Sequence, residues 1–561
     1  MKKINYILNI FLATLICFSP LVSVAQVSVV EKIPGAITTD ESSSVYQITP
    51  DGRYVLFSSS ATNLVAGDLN SVADIFVYDR NTDDIELISV DSSEVQADEF
   101  SRNASISDDG RYIAFESPAT NLVSGDTNAT RDIFLRDRTM GTTIRVSVSH
   151  LGAELVDQSN NPVISGNGQY ILFESQDVNV VSGVDANGDT DIYMYDTDLE
   201  AVELISSDSL GNRGDLGSSR PATTSDGRYV VFSSEASNLI AGDTNNMPDI
   251  FLKDLQDGSA ERVSLGDGGI ESNGECLDPS ISSNARYVTF QCDSTNLVAG
   301  VSGIRAIYLY DRQTEEVILV SSATDETIPN SDSSQAIVSG DGRMVIFFSS
   351  ASNLVSGDNN GFTDLFLKDT FTGLTERLNN NVAGVEGDAQ VTGGLADLTQ
   401  DGRYVVYSSD ATNLIDDDTN GFTDVFFSKI SDNDGIVDTE EEAGPNAGDA
   451  DDDGYSDSME HDTSTFENSL TGEYVTITSE GECFDNEDVS LISESGLSTT
   501  DNSYSYPYGI VDFGIRCKTS LGGSAEVTMH FLGNLSIDGI TLRKVNDTTG
   551  VSQEVSGAVI S

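Results

Sequence analysis

The chain has 561 residues, of which 92 are acidic and 28 are basic, so its formal net charge is −64. A surface of this charge repels nucleic acid and anionic membranes and attracts cations, which excludes nucleic acid as a partner. The length is sufficient for a large buried core and for more than one domain.

Residues 1–25 have the pattern of a secretory signal peptide, because Lys2 and Lys3 precede an apolar run that ends in small residues at Ala25. Cys17 opens a lipoprotein alternative, although Ile16 stands where a small residue is needed. No other stretch is apolar over the about 20 residues that span a bilayer. We therefore predict an exported chain that is periplasmic, displayed at the cell surface or secreted. Removal of the signal leaves a formal charge of −66, since two lysines leave with it.

Residues 26–430 contain seven copies of one pattern. The copies are centred on Gly52, Gly110, Gly168, Gly227, Ala285, Gly342 and Gly402, at intervals of 57 to 60 residues. Each copy has a short apolar strand, a tight turn such as "DDGR", an alternating strand such as "RYIAFES", a long polar loop, the strand "DIFLRD" and an outer strand. Four antiparallel strands in each of seven copies predict an all-β fold, a seven-bladed β-propeller.

The seventh copy ends at "DVFFSKI" without an outer strand, and the mature N-terminus "QVSVVEKIPG" resembles the outer strand of the second copy. We therefore expect Val27–Glu31 to complete the last blade and close the ring. The alternative is an open solenoid with a frayed end.

The motifs "SDDGRYIAF" and "DIFLRD", with their six counterparts, resemble the TolB-like propeller repeat over about residues 26–430. The resemblance implies the propeller fold. TolB has an α/β domain before its propeller and this chain does not, so the TolB role in envelope transport does not follow.

The long loops carry the pattern D-x-N-x-x-x-D in every copy except the fifth, and they lie on the face opposite the short turns. The long-loop face is the candidate binding surface, because binding residues concentrate on loops held by a rigid scaffold. The oxygen spacing suits Ca²⁺, but Asp and Asn also satisfy backbone N–H groups in tight loops, which is the interpretation we favour. The residues are Asp68/Asn70/Asp74, Asp126/Asn128/Asp132, Asp185/Asn187/Asp191, Asp243/Asn245/Asp249, Asp358/Asn360/Asp364 and Asp418/Asn420/Asp424.

Four cysteines remain after signal removal, an even number that predicts two disulfides in an exported chain. Cys276 and Cys292 flank the turn of blade five symmetrically, so they should be opposite each other in a hairpin. We hypothesise that this bridge compensates for the loop motif and the turn glycine that blade five lacks, and that replacing both cysteines by Ser lowers thermal stability. Cys483 and Cys517 would form the second bridge.

The segment 431–463 is rich in aspartate and contains one complete EF-hand-like loop. Its ligands would be Asp449, Asp451, Asp453, the Tyr455 carbonyl, Asp457 and Glu460, with Gly454 at the sharp turn. A weaker loop would use Asp432, Asp434, Asp438 and Glu441, because Ile430 stands at its first position. The segment resembles thrombospondin type 3 calcium repeats, which implies a Ca²⁺-stiffened hinge. The alternative is a solvated acidic linker.

Residues 464–561 return to strand patterns and predict a small β-sandwich. The text "YPYGIVDFGIRC…GGSAEVTMHF" resembles the choice-of-anchor domains of bacterial surface proteins. Those domains usually precede a sorting signal, which we do not find after "GAVIS", so anchoring would be indirect or the sequence truncated.

The function that these features favour is an exported, Ca²⁺-dependent binding, adhesion or scaffold protein of the bacterial envelope, acting as a monomer on a protein or glycan ligand. The alternative is a carbohydrate-active hydrolase or lyase that uses the same face. Catalysis is the less favoured interpretation, because the three histidines fall in no metal motif and no nucleophile elbow is present. No organic cofactor is expected.

Overall fold

The computed structural model describes residues 2–9, 27–33 and 39–430, apart from 184–186, 267, 382 and 416–417, and seven strands between Thr463 and Glu554. Its side chains are described at 30–33 and 39–430, with the same gaps and a further one at 393–395. Every regular element in this part of the chain is a β-strand. The chain divides into two compact units, Val27–Lys429 on the one hand and Met1–Gln26 with Ile430–Ser561 on the other.

The first unit is a seven-bladed β-propeller whose blades are four-stranded antiparallel sheets, as predicted. The strands of blades one to three, in chain order, are Ser43–Ile48, Tyr54–Ser59, Asp74–Asp79, Asp84–Leu87; Arg102–Ile106, Tyr112–Ser117, Asp132–Asp137, Thr142–Arg145; and Ser159–Ile164, Tyr170–Ser175, Asp191–Asp196, Ala201–Leu204. Those of blades four to six are Ser218–Thr223, Tyr229–Ser234, Asp249–Asp254, Ala260–Arg262; Cys276–Ile281, Tyr287–Cys292, Ala306–Asp311, Glu316–Leu319; and Ser333–Val338, Met344–Ser349, Asp364–Asp369, Thr375–Arg377.

Blade seven combines Val391–Leu398, Tyr404–Ser409 and Asp424–Ile430 with the N-terminal strand Val27–Ile33 as its outer strand. The closure predicted from the sequence is confirmed, and the closing strand is two residues longer than expected. The first strand of each blade contacts the first strands of both neighbours, from blade one round to blade seven and back to blade one. The seven first strands therefore surround a common axis, and the open-solenoid alternative is wrong.

The cores lie between adjacent blades. One of them joins Leu56 and Ile75 of blade one to Ile106, Ile113 and Phe115 of blade two, and equivalent clusters recur round the ring. The third strand is buried along its whole length in blade two, which explains the continuous apolar run at residues 133–135 in its centre. Cross-strand aromatic pairs such as Phe115 and Phe134, with ring centroids 5.8 Å apart, hold the second strand to the third.

The outer strands are shorter than the sequence suggested. In blade two the outer strand ends at Arg145, where "TTIRVSVS" predicted a longer one, and the chain then forms a small hairpin bridged at Val148 and Glu154. Similar bridges occur after blades one, three and six. These link hairpins return the chain to the axis on the long-loop face.

The second unit contains one four-stranded sheet, ordered Lys2–Asn9, Ser524–Phe531, Glu473–Gly481 and Thr463–Asn468. Two further ladders pair Cys483–Ile492 with Ile510–Cys517, and Arg543–Val545 with Ser552–Glu554. The strand at residues 2–9 belongs to the segment expected to leave as a signal peptide, and its removal stays a prediction. The packing of these sheets as a sandwich also stays a prediction.

Candidate functional site: the long-loop face and the channel end

The short-turn face is closed by contacts between turns. In blade two, Gly110 has a φ of 70°, and a Cβ on it would lie 2.3 Å from the Tyr54 ring of blade one, so only glycine fits this close approach. The Ser225 hydroxyl of blade four donates to Asp108 of blade two at 2.6 Å, and Gln400 of blade seven donates to Ser225 at 2.9 Å. Blades two, four and seven are not neighbours, so these bonds cross the axis of the propeller. They constrict the central channel, which runs along this axis, at the short-turn face.

The asparagine of each long loop is used by the backbone. The side-chain amide of Asn128 donates to the Leu155 carbonyl at 2.8 Å, and its oxygen accepts from the Thr130 N–H at 2.9 Å. Both ends of the side chain therefore hold the loop, as in an Asx turn. The oxygens of Asn70, Asn187, Asn245, Asn360 and Asn420 accept from the backbone in the same way. This geometry matches the turn-forming interpretation.

The aspartate that begins the third strand accepts from a hydroxyl. The Ser147 hydroxyl donates to Asp132 at 2.6 Å while accepting from the Ile133 N–H at 2.9 Å. Asp74, Asp191 and Asp249 have the same relation to Ser89, Ser206 and Ser264, and Asn379 takes the place of the serine at Asp364.

A cation of the chain itself lies between the loop carboxylates. In blade two, Nη1 of Arg145 is 3.6 Å from Asp126, 3.3 Å from Asp132 and 2.8 Å from Glu154. Blade four repeats this with Arg262 at 3.6, 3.1 and 2.5 Å from Asp243, Asp249 and Glu271. The cations of the other blades are Arg213 in blade three, Arg377 in blade six and Lys32 in blade seven, and in blade one Gln96 bridges Asp68 and Asp74. Asp185 lies outside the described residues.

In these clusters the pKa values of Asp126 and Asp243 are raised, whereas those of Glu154 and Glu271 are lowered. Burial and the adjacent Asp132 carboxylate raise the pKa of Asp126 to about 6, and burial with Asp249 does the same to Asp243. For Glu154 partial burial acts to raise the pKa, but hydrogen bonds from Thr127 and the contact with Arg145 outweigh it and lower the pKa to about 2. Between about pH 2 and pH 6 these clusters therefore hold a protonated aspartate beside an ionised glutamate.

The carboxylate oxygens of these clusters are donors of the kind that Ca²⁺ prefers. Asp126, Asp132 and Glu154 could converge on one ion, as could Asp243, Asp249 and Glu271. Neither buried oxygen of Asp126 accepts a hydrogen bond from the described residues. However, the guanidinium of Arg145 fills the space that an ion would need, so a divalent ion would have to displace it. Metal binding by the blade loops stays the less favoured alternative to the turn-forming interpretation.

Glu154 and Glu271 were missed by the sequence analysis, which considered only the long loops. The residues of their clusters lie in three separate segments of each blade. The signal that could have found them is the recurrence of an outer-strand arginine followed nine residues later by a glutamate, at Arg145, Arg262 and Arg377.

Blade five replaces the whole ionic cluster by apolar residues. Val301 and Ala306 occupy the aspartate positions and are buried, and Leu319 and Ile328 occupy the positions of Arg262 and Glu271 and pack on the same core. The charged partners are thus exchanged together. In blade one the two aspartates are kept and the amide of Gln96 takes the place of the cation, so the buried carboxylates of that blade also have a donor between them. Because a buried carboxylate is costly without such a partner, the cluster is a structural unit of the blade.

The disulfide of blade five is present, as predicted, between Cys276 and Cys292, which face each other in the register of the first two strands. Cys483 and Cys517 are also opposite each other in their ladder, and their bond stays a prediction. All predicted ligands of the acidic segment, Asp449, Asp451, Asp453, Tyr455, Asp457, Glu460, Asp432, Asp434, Asp438 and Glu441, lie outside the described residues.

The first strands of blades two to six carry a ring of left-handed residues at the second or third position. Asn103, Asn161, Arg220, Asp278 and Gln335 have φ between 45° and 58°, each where the register of the strand shifts in a bulge. Non-glycine residues in this conformation are strained, and such strain concentrates at functional sites. The five residues follow one another round the axis, since they lie on the adjacent first strands of blades two to six.

Buried polar groups of the second strands hold this ring in place. Glu116, whose side chain is fully buried, accepts from the Asn161 N–H at 3.0 Å, and Glu174 accepts from the Arg220 N–H at 2.6 Å. Asn103 donates to Asn161 at 3.2 Å, and Arg220 pairs with Asp278 across the next blade boundary. The ring is therefore connected by bonds between successive blades.

Two open cavities lie on the long-loop face beside the ring. One of about 390 Å³ is lined by residues of blades three to five, among them Thr190, Ser219, Glu235 and Pro248. The other, of about 610 Å³, lies at blade two and is lined by Phe100, Pro118, Arg131 and Gln158 among others. Both are on the face that the sequence analysis selected. The described residues contain no helix that is long and apolar enough to span a membrane.

No protein-family model and no characterised protein matches the sequence. Among solved structures, the chain is similar to TolB from Acinetobacter baumannii, at 15% identity and a TM-score of 0.33, covering 60% of this chain and 62% of that one. It is also similar to an oligogalacturonate lyase from Vibrio parahaemolyticus, at 12% identity and a TM-score of 0.45, covering 71% and 93%. The β-propeller domain of the Trilobed protease from Pyrococcus furiosus has 14% identity and a TM-score of 0.42, covering 69% and 95%.

These likenesses concern the fold alone. The chain spans about three fifths of the length of the Acinetobacter TolB. The architecture is a seven-bladed β-propeller, and the solved structures that resemble it include TolB, an oligogalacturonate lyase and an acylaminoacyl peptidase.

Proposed function

We propose that the chain is an exported, calcium-dependent binding or scaffold protein of the bacterial envelope, which recognises its ligand at the long-loop end of the propeller channel. One observation carries the proposal. The positions that recur from blade to blade form the internal bonds of the fold, whereas the residue types round the channel end vary between blades. The left-handed ring is an example, with Asn, Arg, Asp and Gln at equivalent sites.

The recurring residues of the long loops have internal partners. Asp98 accepts from the N–H and the hydroxyl of Thr120 at 2.9 and 3.0 Å, and the amide of Asn121 donates to the Gln96 carbonyl. The same bonds join Asp215 to Ser237 and Asp388 to Thr412. These bonds hold the link between two blades against the long loop of the second blade. The variable residues nearer the axis are therefore the ones available to a ligand.

The calcium dependence rests on the spacing of Asp449, Asp451, Asp453, Asp457 and Glu460 in the sequence. The proposed role is binding without turnover, in the periplasm, at the cell surface or outside the cell. The alternative is a carbohydrate-active enzyme on the same face, which release of reducing ends from a bound glycan would support.

The test is binding of the mature chain to glycan and peptide arrays, with and without Ca²⁺. Ser219→Trp places a large ring in the cavity of blades three to five, and Gln256→Trp adds the same ring at an exposed turn on the opposite face. We expect the first variant to lose ligand and the second to keep it, both with unchanged circular dichroism. Binding that is lost only in the second variant would contradict the proposal.

A further inference from the structure

The arginines of the propeller fall into two groups. Most occupy repeated positions, such as Arg111, which pairs with Asp137 beside the turn and has counterparts at Arg53, Arg228 and Arg286. Arg102 and Arg131 of blade two have no such role. The equivalents of Arg131 in the other blades are Ala73, Thr190, Pro248, Arg305, Thr363 and Thr423, and those of Arg102 are Ser44, Asn160, Ser219, Leu277, Ser334 and Thr392.

These two arginines share one buried carboxylate. Nε of Arg102 is 2.7 Å and Nη1 of Arg131 is 3.4 Å from Oε1 of Glu116, whose side chain is fully buried. The other oxygen of Glu116 accepts from Asn161. One carboxylate therefore orients two guanidinium groups, whose side chains remain 44% and 24% exposed, and their fork donors suit a second, external carboxylate.

The blade-two cavity, which is lined by Arg131, also contains a ring surface and hydrogen-bonding groups. Phe100 lies 5.5 Å from the Arg102 guanidinium, and it is an aromatic residue where the other blades have Ser42, Gln158, Gly217, Glu275, Asp332 and Gln390. Gln158 accepts from Nη2 of Arg131 at 2.5 Å and lines the cavity with Thr130. An aromatic face, the planar amide of Gln158 and the two guanidinium groups together match a ligand with an apolar ring face and polar groups at its edge.

We propose that the blade-two cavity binds a carboxylated sugar residue, the uronate unit of an acidic glycan. Its carboxylate pairs with Arg131 and Arg102, and its ring packs on Phe100. The two guanidinium charges are opposed by Glu116 and by two acidic side chains at the rim, so recognition rests on the directed hydrogen bonds of the guanidinium groups and not on net charge. Asp98 has both oxygens engaged by Thr120, and Glu99 is exposed to solvent, where its charge is screened.

This inference rests on the proposed function, because it names the ligand class of the same face. The probes are trigalacturonate and its fully methyl-esterified form, titrated calorimetrically into the mature chain in the presence of Ca²⁺. The two probes have the same sugar units and linkages, and the ester replaces each charged carboxylate by a neutral methyl ester. We expect trigalacturonate to bind about tenfold or more tightly than the ester, the usual effect of a charge-assisted hydrogen bond.

Arg131→Gln is expected to weaken trigalacturonate binding by about tenfold or more, with little effect on the ester. Arg305→Gln is the matched control, because Arg305 occupies the same position in blade five and pairs with Glu275 at 2.6 Å. Its effect should be less than about twofold. Phe100→Ala should weaken both probes alike. Melting temperatures would show that each variant is folded.

Equal binding of the acid and the ester, or an unchanged affinity in Arg131→Gln, would overturn the inference. If Ser219→Trp abolished that same binding, the channel end would remain the binding surface and the proposed function would stand. Binding of an acidic peptide, but of neither sugar, with loss in Arg131→Gln would also overturn the sugar assignment. Absence of ligands from both arrays would contradict the inference and the proposed function together.

Discussion

Single carboxylates in the blade clusters differ in their effect on stability. The folded-state pKa of Asp126 and Asp243 is about 6, above the usual 3.8, so folding takes up protons between these values. The stabilisation is thus complete below about pH 4 and is lost as the pH rises through about 6. Glu154 and Glu271, with a pKa of about 2, stabilise the fold above their usual 4.5 and lose this effect as the pH falls through about 2. Within these two clusters, Asp126 and Asp243 therefore change charge between pH 5 and 7, whereas Glu154 and Glu271 stay ionised.

The double change Asp126→Asn and Asp243→Asn should therefore raise the melting temperature at pH 7.5, because the amide imitates the protonated acid. The gain should be about 2–4 °C and should shrink towards pH 5. Thermal melts followed by circular dichroism across this range would measure it. Asp84→Asn, at an exposed strand position, should shift the melt equally at both pH values. A double variant that is less stable than the parent at pH 7.5 would show that both aspartates are needed in ionised form.

At the scale of one blade, the buried ions and their apolar replacement in blade five are two solutions to the same packing problem. A buried ion pair gains attraction but loses hydration, so a complete apolar set can be equally stable. Removing only one partner leaves an unpaired buried charge, which is much more costly. Blade four offers the direct comparison, since its cluster is the neighbour of the apolar one.

Arg262→Leu should lower the free energy of unfolding by about 3–5 kcal/mol. Adding the three further blade-five residues, by Asp243→Val, Asp249→Ala and Glu271→Ile, should restore most of that stability. Urea unfolding followed by tyrosine fluorescence is suitable, because the chain has no Trp. If the quadruple variant were as unstable as the single one, the cluster would have a role beyond charge balance, and the metal interpretation would gain weight.

At the scale of the whole molecule, the ring is closed by a strand from the opposite end of the chain. Val30 and Ile33 of this strand are buried, and Nζ of Lys32 is 3.2 Å from Asp418 and 2.5 Å from Asp424. The two carboxylates lie almost 400 residues from the lysine in sequence. The ends of the propeller therefore depend on each other for hydrophobic contact and for charge.

Removal of residues 26–33 should lower the melting temperature by about 10 °C or more, because apolar side chains are exposed and two buried aspartates lose their cation. Glu31→Ala in the same strand changes a side chain that is 55% exposed and should have little effect. Differential scanning calorimetry would compare them. An unchanged melt after the deletion would mean that the ring is stable without its outer strand in blade seven.

The metal also belongs to this scale, because the segment 431–463 that would bind it follows the propeller in the chain. Calorimetric titration of Ca²⁺ into the metal-free mature chain should show one or two strong sites, and Asp449→Ala with Asp453→Ala should remove the stronger. Six or more sites that survive the double change would place the metal in the blade loops, with displacement of Arg145 and its counterparts. Absence of binding would reduce the acidic segment to a solvated linker.

Local patterns sufficed for the blades, for the closing strand and for the blade-five disulfide. The blades follow from a period near 58 residues and from strands of alternating or continuous apolar residues. The disulfide follows from two cysteines placed symmetrically about a turn, and the closing strand from the sequences at the two ends of the propeller. Each depends on hydrogen bonding between adjacent strands, whose rules follow from local spacing. The long-loop face was also accessible, since loop length is visible in the sequence.

Other features arise only when distant segments meet. The spacing of Asp126, Asn128 and Asp132 is compatible with a metal loop and with a turn. Two contacts that favour the turn are visible only in the structure, the hydrogen bond that the Asn128 side chain accepts from the backbone and the ion pair of Asp132 with Arg145 from another strand. The bonds from Ser225 to Asp108 and Gln400 span 117 and 175 residues, and the left-handed ring exists only where the first strands surround the axis. No short window of sequence contains these contacts, because their geometry is produced by closure of the ring.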